Sequence, residues 1–301
     1  MIIFIDENDE NKRLDNFLTE IISDLSRSKI QTLIKSGAVT ANNIVKKPSY
    51  ILKENDKIEF EIPEAKKIKI EPENIPIEII YEDENMAVVN KPSGMLTHPT
   101  TNEISGTLVN AMIYKFGENL SDINGEFRRG IIHRLDRNTS GLLMIAKNNE
   151  THKFLADKIK NHEITKKYRT IVKGKYPQDE DIINLPIGRH PTQRHKMAVV
   201  EEGKESITIV KVVEKFKDAT HLEVTLIAGR THQIRVHLSY KGYPVFNDTL
   251  YGAGMAKVKT DEQVLQSYYL RFTKPFSDEI IELQISPDEK FQKVLRYLKQ
   301  E

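Results

Sequence analysis

The chain has 301 residues, with 45 basic residues (Lys and Arg), 44 acidic residues and no cysteine, so its formal net charge is +1. This length suffices for about two domains. The absence of cysteine excludes disulfides, thiolate nucleophiles, iron–sulfur clusters and cysteine-ligated zinc. No stretch approaches the ~20 apolar residues that a membrane-spanning helix needs, and the apolar run at residues 1–5 is too short for a signal peptide. We therefore expect a cytoplasmic protein with no membrane partner.

Although the net charge is close to zero, basic and acidic residues are concentrated in different parts of the chain. Residues 25–53 carry six basic side chains and no acidic one, and basic residues far outnumber acidic ones in residues 128–175. The acidic excess lies in residues 54–84. Two basic surfaces on a neutral protein favour a polyanion bound at defined faces. Solvated lysine-rich faces would give the same pattern.

The first sixty residues predict a compact helix–helix–strand arrangement after a short strand at residues 1–5. The first helix is indicated by apolar residues at helical spacing: Leu14, Phe17, Leu18, Ile21 and Ile22. A second helix is predicted to start at residues 28–31, which have capping-box spacing, and to end at Gly37. Residues 42–43 predict a turn between strands at residues 39–41 and 44–45, because asparagine tolerates positive φ. A closing strand is indicated by the alternation of Ile58, Phe60 and Ile62.

Residues 12–62 resemble the S4 RNA-binding domain in the order of these elements. The motifs that carry the resemblance are Arg13-Leu14-Asp15, Ser26-Arg27-Ser28, Ile34-Lys35-Ser36-Gly37 and Lys47-Pro48-Ser49. Asn43 and Asn55 stand where that family often has glycine, and asparagine is the next best residue in the left-handed region. In that family the two helices face RNA, so the resemblance implies RNA-binding roles for Arg27, Lys29 and Lys35.

The rest of the chain is predicted to form a linker and a second domain. Residues 63–76 are charged and interrupted by prolines, as in an interdomain linker, which leaves residues 1–62 and 77–301 as the two domains. Strands are predicted at residues 79–81, 86–89, 142–145, 168–172 and 222–226, and helices at residues 107–116, 149–159 and 231–241. Strands in runs with only occasional helices favour an α+β domain with a mainly antiparallel, mixed sheet.

The strongest chemical signal is a polar loop within residues 130–143, with Asp136 near its centre. Apolar segments on both sides of the loop predict strands. Taken alone, an aspartate in such a loop is most often a turn or capping residue. A short loop held between two buried strands is also a suitable mount for a reactive group.

A second signal lies in residues 229–237. Thr231 is predicted to cap a helix with His232 and Arg235 along one face, although a polar helix on the surface would look the same. His232 and His237 lack the spacing of a metal-binding helix and have no glutamate between them as in H-E-x-x-H, so we expect no metal site.

A third signal is Tyr168, on a predicted strand after two lysines. Strand alternation sends Tyr168 and Val172 to one face and Arg169 to the other. A strand tyrosine is most often half-buried core, but a ring presented to a cleft can stack on a nucleic-acid base.

These motifs together resemble the RluA/RluD family of RNA pseudouridine synthases. The resemblance rests on His133-Arg134-Leu135-Asp136, Thr139-Ser140-Gly141 and Gly229-Arg230-Thr231-His232-Gln233-Ile234-Arg235, with further matches at residues 81–83, 90–94, 98–99 and 106–108. It extends from about residue 77 to the C-terminus. It implies a large-subunit ribosomal RNA pseudouridine synthase with an N-terminal S4 domain. Such an enzyme isomerises specific uridines in structured RNA, here 23S ribosomal RNA or a ribosomal precursor particle, by base flipping. We expect a monomer that uses no cofactor.

The resemblance also assigns residues to the site. The implied catalytic residues are Asp136, Tyr168 and Arg235, and the implied RNA-binding residues are Arg134, His133, Arg230 and His232. In the family, the arginine at position 134 helps displace the target base, the tyrosine stacks on it, and Arg235 pairs with the essential carboxylate. Such a pair leaves Asp136 charged, as a nucleophile or base. Attack on ribose C1′, attack on the base and removal of a ribose proton all stay open.

Three alternatives compete with this interpretation. A non-catalytic S4-type RNA-binding or ribosome assembly factor would explain the basic surfaces, but would not need the aspartate, tyrosine and arginine together. A hydrolase of a glycosidic bond would need a second carboxylate, and the sequence offers no convincing one. The His-Arg-Leu-Asp motif also occurs in kinase catalytic loops, but the G-x-G-x-x-G loop is missing.

Overall fold

The computed structural model describes residues 1–22, 25–61, 69–252, 258, 260 and 263–300. The chain divides into two compact units, Met1–Ile68 and Lys69–Glu301. Each unit buries an apolar core of its own. None of the helices in the described residues is long and apolar enough to cross a membrane.

The N-terminal unit packs two helices on a small sheet. Its elements are β1 (Ile2–Phe4), α1 (Leu14–Ile21), α2 (Arg27–Lys35), β2 (Val39–Ala41) and β3 (Lys57–Phe60). The strands are antiparallel in the order β1-β3-β2. Leu18 of α1, Ile30 of α2 and Ile58 of β3 are buried in the same apolar cluster, because the apolar positions of each helix fall on one face. The predicted helix–helix–strand arrangement is confirmed.

Two details predicted for this unit are wrong. Helix α2 begins at Arg27 and has no side-chain capping bond; the Gln31 side chain donates to Asp15 instead, so the capping box does not form. The turn at residues 42–43 is confirmed by φ values of 54° and 64°. The segment after it makes only a single bridge, from Ile44 to Ala41, and is not a strand. Ile62 lies outside the described residues.

The second unit is built on one large sheet. Its elements are β4 (Glu78–Glu82), β5 (Met86–Lys91), α3 (Leu108–Phe116), a 3₁₀ turn (Glu126–Arg128), β6 (Ser140–Ala146), α4 (Asn149–Lys160), β7 (Thr165–Lys173), β8 (Glu180–Asn184), β9 (Ile187–Arg189), β10 (Met197–Val199), β11 (Ile207–Lys215), β12 (Ala219–Leu226), α5 (Gln233–Tyr240), β13 (Leu265–Thr273), β14 (Ile280–Gln284) and α6 (Glu289–Leu298). Among the described residues, nine strands form this sheet. Eight follow the order β4-β5-β6-β13-β7-β12-β11-β8, and the ninth, β14, pairs with β13. Strands β9 and β10 form a separate hairpin.

The sheet is mixed but mainly antiparallel, as predicted. Within the described strands, the parallel pairing is that of β6 with β13. Strand β6 is buried along its whole length, which places it at the centre of the fold. On β7, Tyr168 and Val172 belong to the core under α3 and α5, whereas Ile171 packs with α6 on the other side. The predicted alternation of β7 is therefore confirmed.

The strand predicted at residues 130–132 is wrong, because Ile131 makes only one bridge, to Ile145 of β6. Of the predicted linker at residues 63–76, residues 63–68 lie outside the described part of the chain. Residues 69–76 belong to the second unit. Ile70 is buried in its core, and Asn110 donates to the Glu71 carbonyl at 2.9 Å.

Candidate active site

The loop that carries Asp136 is fixed by buried polar side chains. Lys91, fully buried at the end of β5, donates from Nζ to the carbonyl of Arg137 at 3.0 Å and to two carbonyls of its own turn. The hydroxyl of Thr97 donates to the carbonyl of Leu135 at 2.8 Å. The residues on both sides of Asp136 are therefore anchored, which restricts the positions that its carboxylate can reach.

The end of the loop requires glycine. Gly141 has φ +113°, and a Cβ atom there would lie 2.0 Å from the carbonyl oxygen of Ser267 on β13. Strands β6 and β13 therefore approach so closely at this point that no side chain fits between them. This contact explains the glycine in the Thr-Ser-Gly motif and holds the C-terminal end of the loop against the sheet.

Helix α5 starts later than predicted, and several of its polar residues are buried. It begins at Gln233, and its N-cap is His232 in the left-handed conformation (φ 57°), so the predicted cap at Thr231 is wrong. Gln233 is buried and donates to Thr208 and to the Ile207 carbonyl, both at 3.0 Å. The left-handed residue turns the chain sharply into the helix.

Arg235 lies between two carboxylates. It donates from Nη1 to Asp136 Oδ2 at 3.0 Å, and from Nε and Nη2 to Asp248 at 2.7 and 3.0 Å. The side chains of Arg235 and Asp248 are 8% and 1% exposed, whereas that of Asp136 is 17% exposed and reaches the pocket. The predicted Asp136–Arg235 contact is thus present, and the bidentate pair fixes the guanidinium that orients the carboxylate.

His232 and Tyr251 form a second contact network around the same pair. The Tyr251 hydroxyl accepts from the Met197 N–H at 2.9 Å and lies 2.8 Å from His232 Nδ1. With the tyrosine donating its one proton to Nδ1, the other ring nitrogen of a neutral His232 carries hydrogen. That nitrogen lies 3.9 Å from Asp136 Oδ2. Burial lowers the pKa of His232, which favours this neutral form.

Tyr168 lies at the same opening as Asp136. The residue is 6% exposed. Burial and the nearby Asp136 carboxylate both raise the pKa of Tyr168, so its hydroxyl keeps its proton. The pocket opens to solvent and is lined by Arg134, Asp136, Tyr168, Arg230, His232 and Arg235, among others.

The pocket unites six of the ten residues singled out from the sequence, and the structure places the other four elsewhere. His133 lines the neighbouring groove, and its Nε2 accepts the Met144 N–H at 3.1 Å. Burial, with a smaller effect of Lys166, lowers the pKa of His133 to about 3, which keeps this acceptor neutral. The remaining three, Arg27, Lys29 and Lys35, are exposed on the N-terminal unit.

Sequence reasoning missed the residues that hold the pocket in shape. Asp248, Tyr251 and Thr97 lie in segments without helical or strand periodicity, so no pattern singles them out. Lys91 belonged to a motif quoted for the resemblance, but a lysine at a strand end gives no sign that it is fully buried. Only the folded chain brings these side chains to the loop.

The fold and the pocket together define the class of the protein: an RNA-modifying enzyme of the pseudouridine synthase type. The model of the RNA pseudouridylate synthase family matches residues 85–240, and that of the S4 domain matches residues 12–58. The chain belongs to the RNA pseudouridylate synthase family. It isomerises uridine to pseudouridine in RNA, and these matches give no support to a non-catalytic binding factor.

Relatives cover almost the whole chain. An uncharacterized RNA pseudouridine synthase of Aquifex aeolicus is 41% identical over 97% of this chain and 95% of the relative. The ribosomal large subunit pseudouridine synthase D of Zymomonas mobilis is 36% identical over 95% of this chain and 93% of the relative. The structure of human RNA pseudouridylate synthase domain containing 4 has a TM-score of 0.58 at 19% identity, covering 74% of this chain and 93% of that one. This structural likeness shows the fold.

Proposed function

We propose that this enzyme modifies specific uridines of 23S ribosomal RNA, with Asp136 as the catalytic carboxylate, Arg235 as its partner and Tyr168 under the target uracil. The substrate is suggested by relatives that are named for the large ribosomal subunit, such as that of Zymomonas mobilis. The observation that carries the catalytic assignment is the 3.0 Å Asp136–Arg235 contact in a pocket that Tyr168 also lines.

The reaction requires access to atoms that lie inside an RNA stack. It breaks the bond between ribose C1′ and uracil N1 and joins C1′ to C5; C5 loses a proton and N1 gains one. The uridine must therefore leave the stack, at a cost of a few kcal/mol. Arg134 is exposed at the pocket rim, where its guanidinium can take the place of the displaced base. The overall change is not a redox reaction, so we propose that it needs no cofactor or metal.

The two sides of the pocket have different tasks in this scheme. The carboxylate of Asp136, oriented by the charge-assisted bond from Arg235, acts as nucleophile or base. The neutral Tyr168 ring offers a flat surface for the uracil, and such stacking contributes about 1–3 kcal/mol per base. Because the tyrosine keeps its proton, it adds no second negative charge beside Asp136.

The N-terminal residues are proposed to bind the RNA away from the reacting uridine. We assign residues 1–62 to an S4-like domain, residues 63–76 to a linker and residues 77–301 to the catalytic domain. Residues 69–76 of this linker pack with the catalytic domain. Arg27 is exposed and is held by the buried carboxylate of Asp15 at 3.0 Å, and Lys29 and Lys35 are exposed on the same helix. We propose a cytoplasmic monomer that acts on structured RNA.

Mapping of pseudouridines in 23S ribosomal RNA from cells lacking the protein tests the proposal. One or a few uridines should lose modification, and the wild-type gene should restore them. Asp136→Asn should restore none while its RNA affinity stays within a few-fold of wild type. Asp157→Asn, which changes an exposed aspartate of α4 in the same way, should restore modification fully. Restoration by Asp136→Asn would remove the proposed catalytic role.

A further inference from the structure

A basic groove opens beside the catalytic pocket. It has room for about 470 Å³ of ligand and shares Arg134, Tyr168, Gly229 and Arg230 with the pocket. Its other polar side chains include Lys160 and Lys166. None of the described residues that line it is acidic. An RNA strand whose flipped base enters the pocket would therefore lie against positively charged hydrogen-bond donors.

Lys166 is the unusual residue of this groove. It lies on β7 two positions before Tyr168, so both side chains point to the same face of the strand. It is only 6% exposed, and no ion pair or hydrogen bond joins it to any residue in the described part of the chain. Its Nζ lies near Gly229, 3.6 Å from where a Cβ atom of that residue would be.

An unpaired ammonium in such a place is costly. Burial lowers the pKa of Lys166, which reflects the loss of water around its charge. Proteins normally offset such a loss by pairing the buried charge. Lys167, the next residue, faces the other side and pairs with Glu223 at 3.1 Å. For Lys166 the counter-charge is missing from the described residues of the chain, and a ligand in the groove would supply it.

We propose that Lys166 binds the RNA phosphate adjacent to the flipped uridine, so that the backbone lies in the groove while the uracil occupies the pocket. A phosphate fits better than a base edge, because uracil presents donors as well as acceptors, whereas the charged side chains of the groove only donate. This inference rests on the proposed function and adds to it a contact that positions the substrate.

The first test measures binding and turnover with full-length protein and a 23S ribosomal RNA transcript labelled with tritium at uracil C5, which is released on isomerisation. Lys166→Met should weaken binding about tenfold, as expected when a charge-assisted contact is lost. It should also reduce the slope of log affinity against log salt by about one unit. Lys167→Met, the matched change on the opposite face, should alter neither. Lys166→Arg should recover most of the affinity, and Lys166→Gln repeats the test if the methionine variant does not fold.

The second test identifies the phosphate. Synthetic stem–loops that contain the mapped uridine carry one neutral methylphosphonate at a time. Wild-type affinity should fall at one linkage next to the target, and Lys166→Met should be indifferent to that replacement. Equal sensitivity of both proteins at every linkage, with an unchanged salt slope, would overturn the phosphate contact while the enzyme assignment stands. No tritium release by the wild type would overturn the proposed substrate, and this inference with it.

Discussion

Arg235 and Asp248 form a buried bidentate ion pair, with Nε–Oδ2 at 2.7 Å and Nη2–Oδ1 at 3.0 Å. The third guanidinium nitrogen, Nη1, donates to Asp136. Asp248 also accepts the backbone N–H groups of Leu250 and Tyr251, so the following turn holds it in place. The position of the Asp136 carboxylate therefore depends on a second carboxylate that does not line the pocket. Because its oxygens are occupied, Asp248 is also unsuited to be the acid of a glycosidase pair.

We expect Asp248→Asn to impair turnover much more than binding. The amide cannot accept from both guanidinium nitrogens, so Arg235 loses its fixed orientation toward Asp136. We expect kcat to fall about 100-fold and the free energy of unfolding to fall by about 3 kcal/mol, because a buried charge loses its partner. Asp179→Asn, in an exposed pair with Lys215, should change neither quantity. Single-turnover kinetics measures the rate of conversion of bound RNA. An Asp248→Asn rate constant equal to that of the wild type would contradict this role.

How far the sequence predicts the site depends on whether a residue belongs to a local pattern. Asp136, Tyr168 and Arg235 lie in motifs, and the structure brings them together although 99 positions separate the aspartate from the arginine. Asp248 and Tyr251 become recognisable only through these long-range contacts. The start of α5 was misplaced because threonine usually caps helices, whereas here His232 adopts the left-handed conformation.

In the fold as well, elements with a local sequence pattern could be predicted, and elements defined by long-range pairing could not. Strands with a sustained apolar run, such as β5 and β6, were predicted, whereas the short β9 and β10 are defined by pairing with each other and have no periodicity. Helix α6 was missed although its signal was readable. Asp288 caps it with a 2.8 Å bond from the Phe291 N–H, and its buried residues follow at helical spacing.

Two glycine variants can separate steric conflict from backbone strain. Gly141→Ala places a methyl group against the Ser267 carbonyl and must separate β6 from β13, so we expect a loss of more than about 3 kcal/mol or failure to fold. Gly106→Ala has positive φ (+68°) but no atom within 4 Å of the added carbon. It should cost only about 1–2 kcal/mol, from the backbone conformation alone. Chemical denaturation of both proteins measures the difference, and equal losses would show that the strand contact is not the cause.

His133 should make the stability of the chain depend on pH. Burial lowers its pKa to about 3 from an ordinary 6.5, so below about pH 6.5 the unfolded chain takes up a proton that the folded chain refuses. The contribution of the neutral His133 ring to the free energy of unfolding is therefore complete above about pH 6.5, and it decreases as the pH falls toward 3. Protonation would also break the bond that Nε2 accepts from Met144.

The variant His133→Gln should remove this dependence. The free energy of unfolding of the wild type minus that of the variant should be more positive at about pH 7.5 than at about pH 4.5, by about 2 kcal/mol. His195→Gln, the same change at an exposed position, is the matched control. A constant difference for His133→Gln would mean that the folded chain protonates this ring freely.

Removal of residues 1–62 should leave a folded catalytic unit. The apolar core of the N-terminal unit consists of residues 3–60, and the described cores of the second unit use residues 70–298. We expect the truncated chain to keep its circular dichroism and to isomerise uridine, but with lower RNA affinity or altered site choice. Asp15→Asn in the full chain should cause a milder loss of affinity, because Arg13 and Arg27 are no longer held by the buried carboxylate. Unfolding of the truncated chain would place the domain boundary elsewhere, and unchanged affinity and site choice would remove the N-terminal unit from RNA binding.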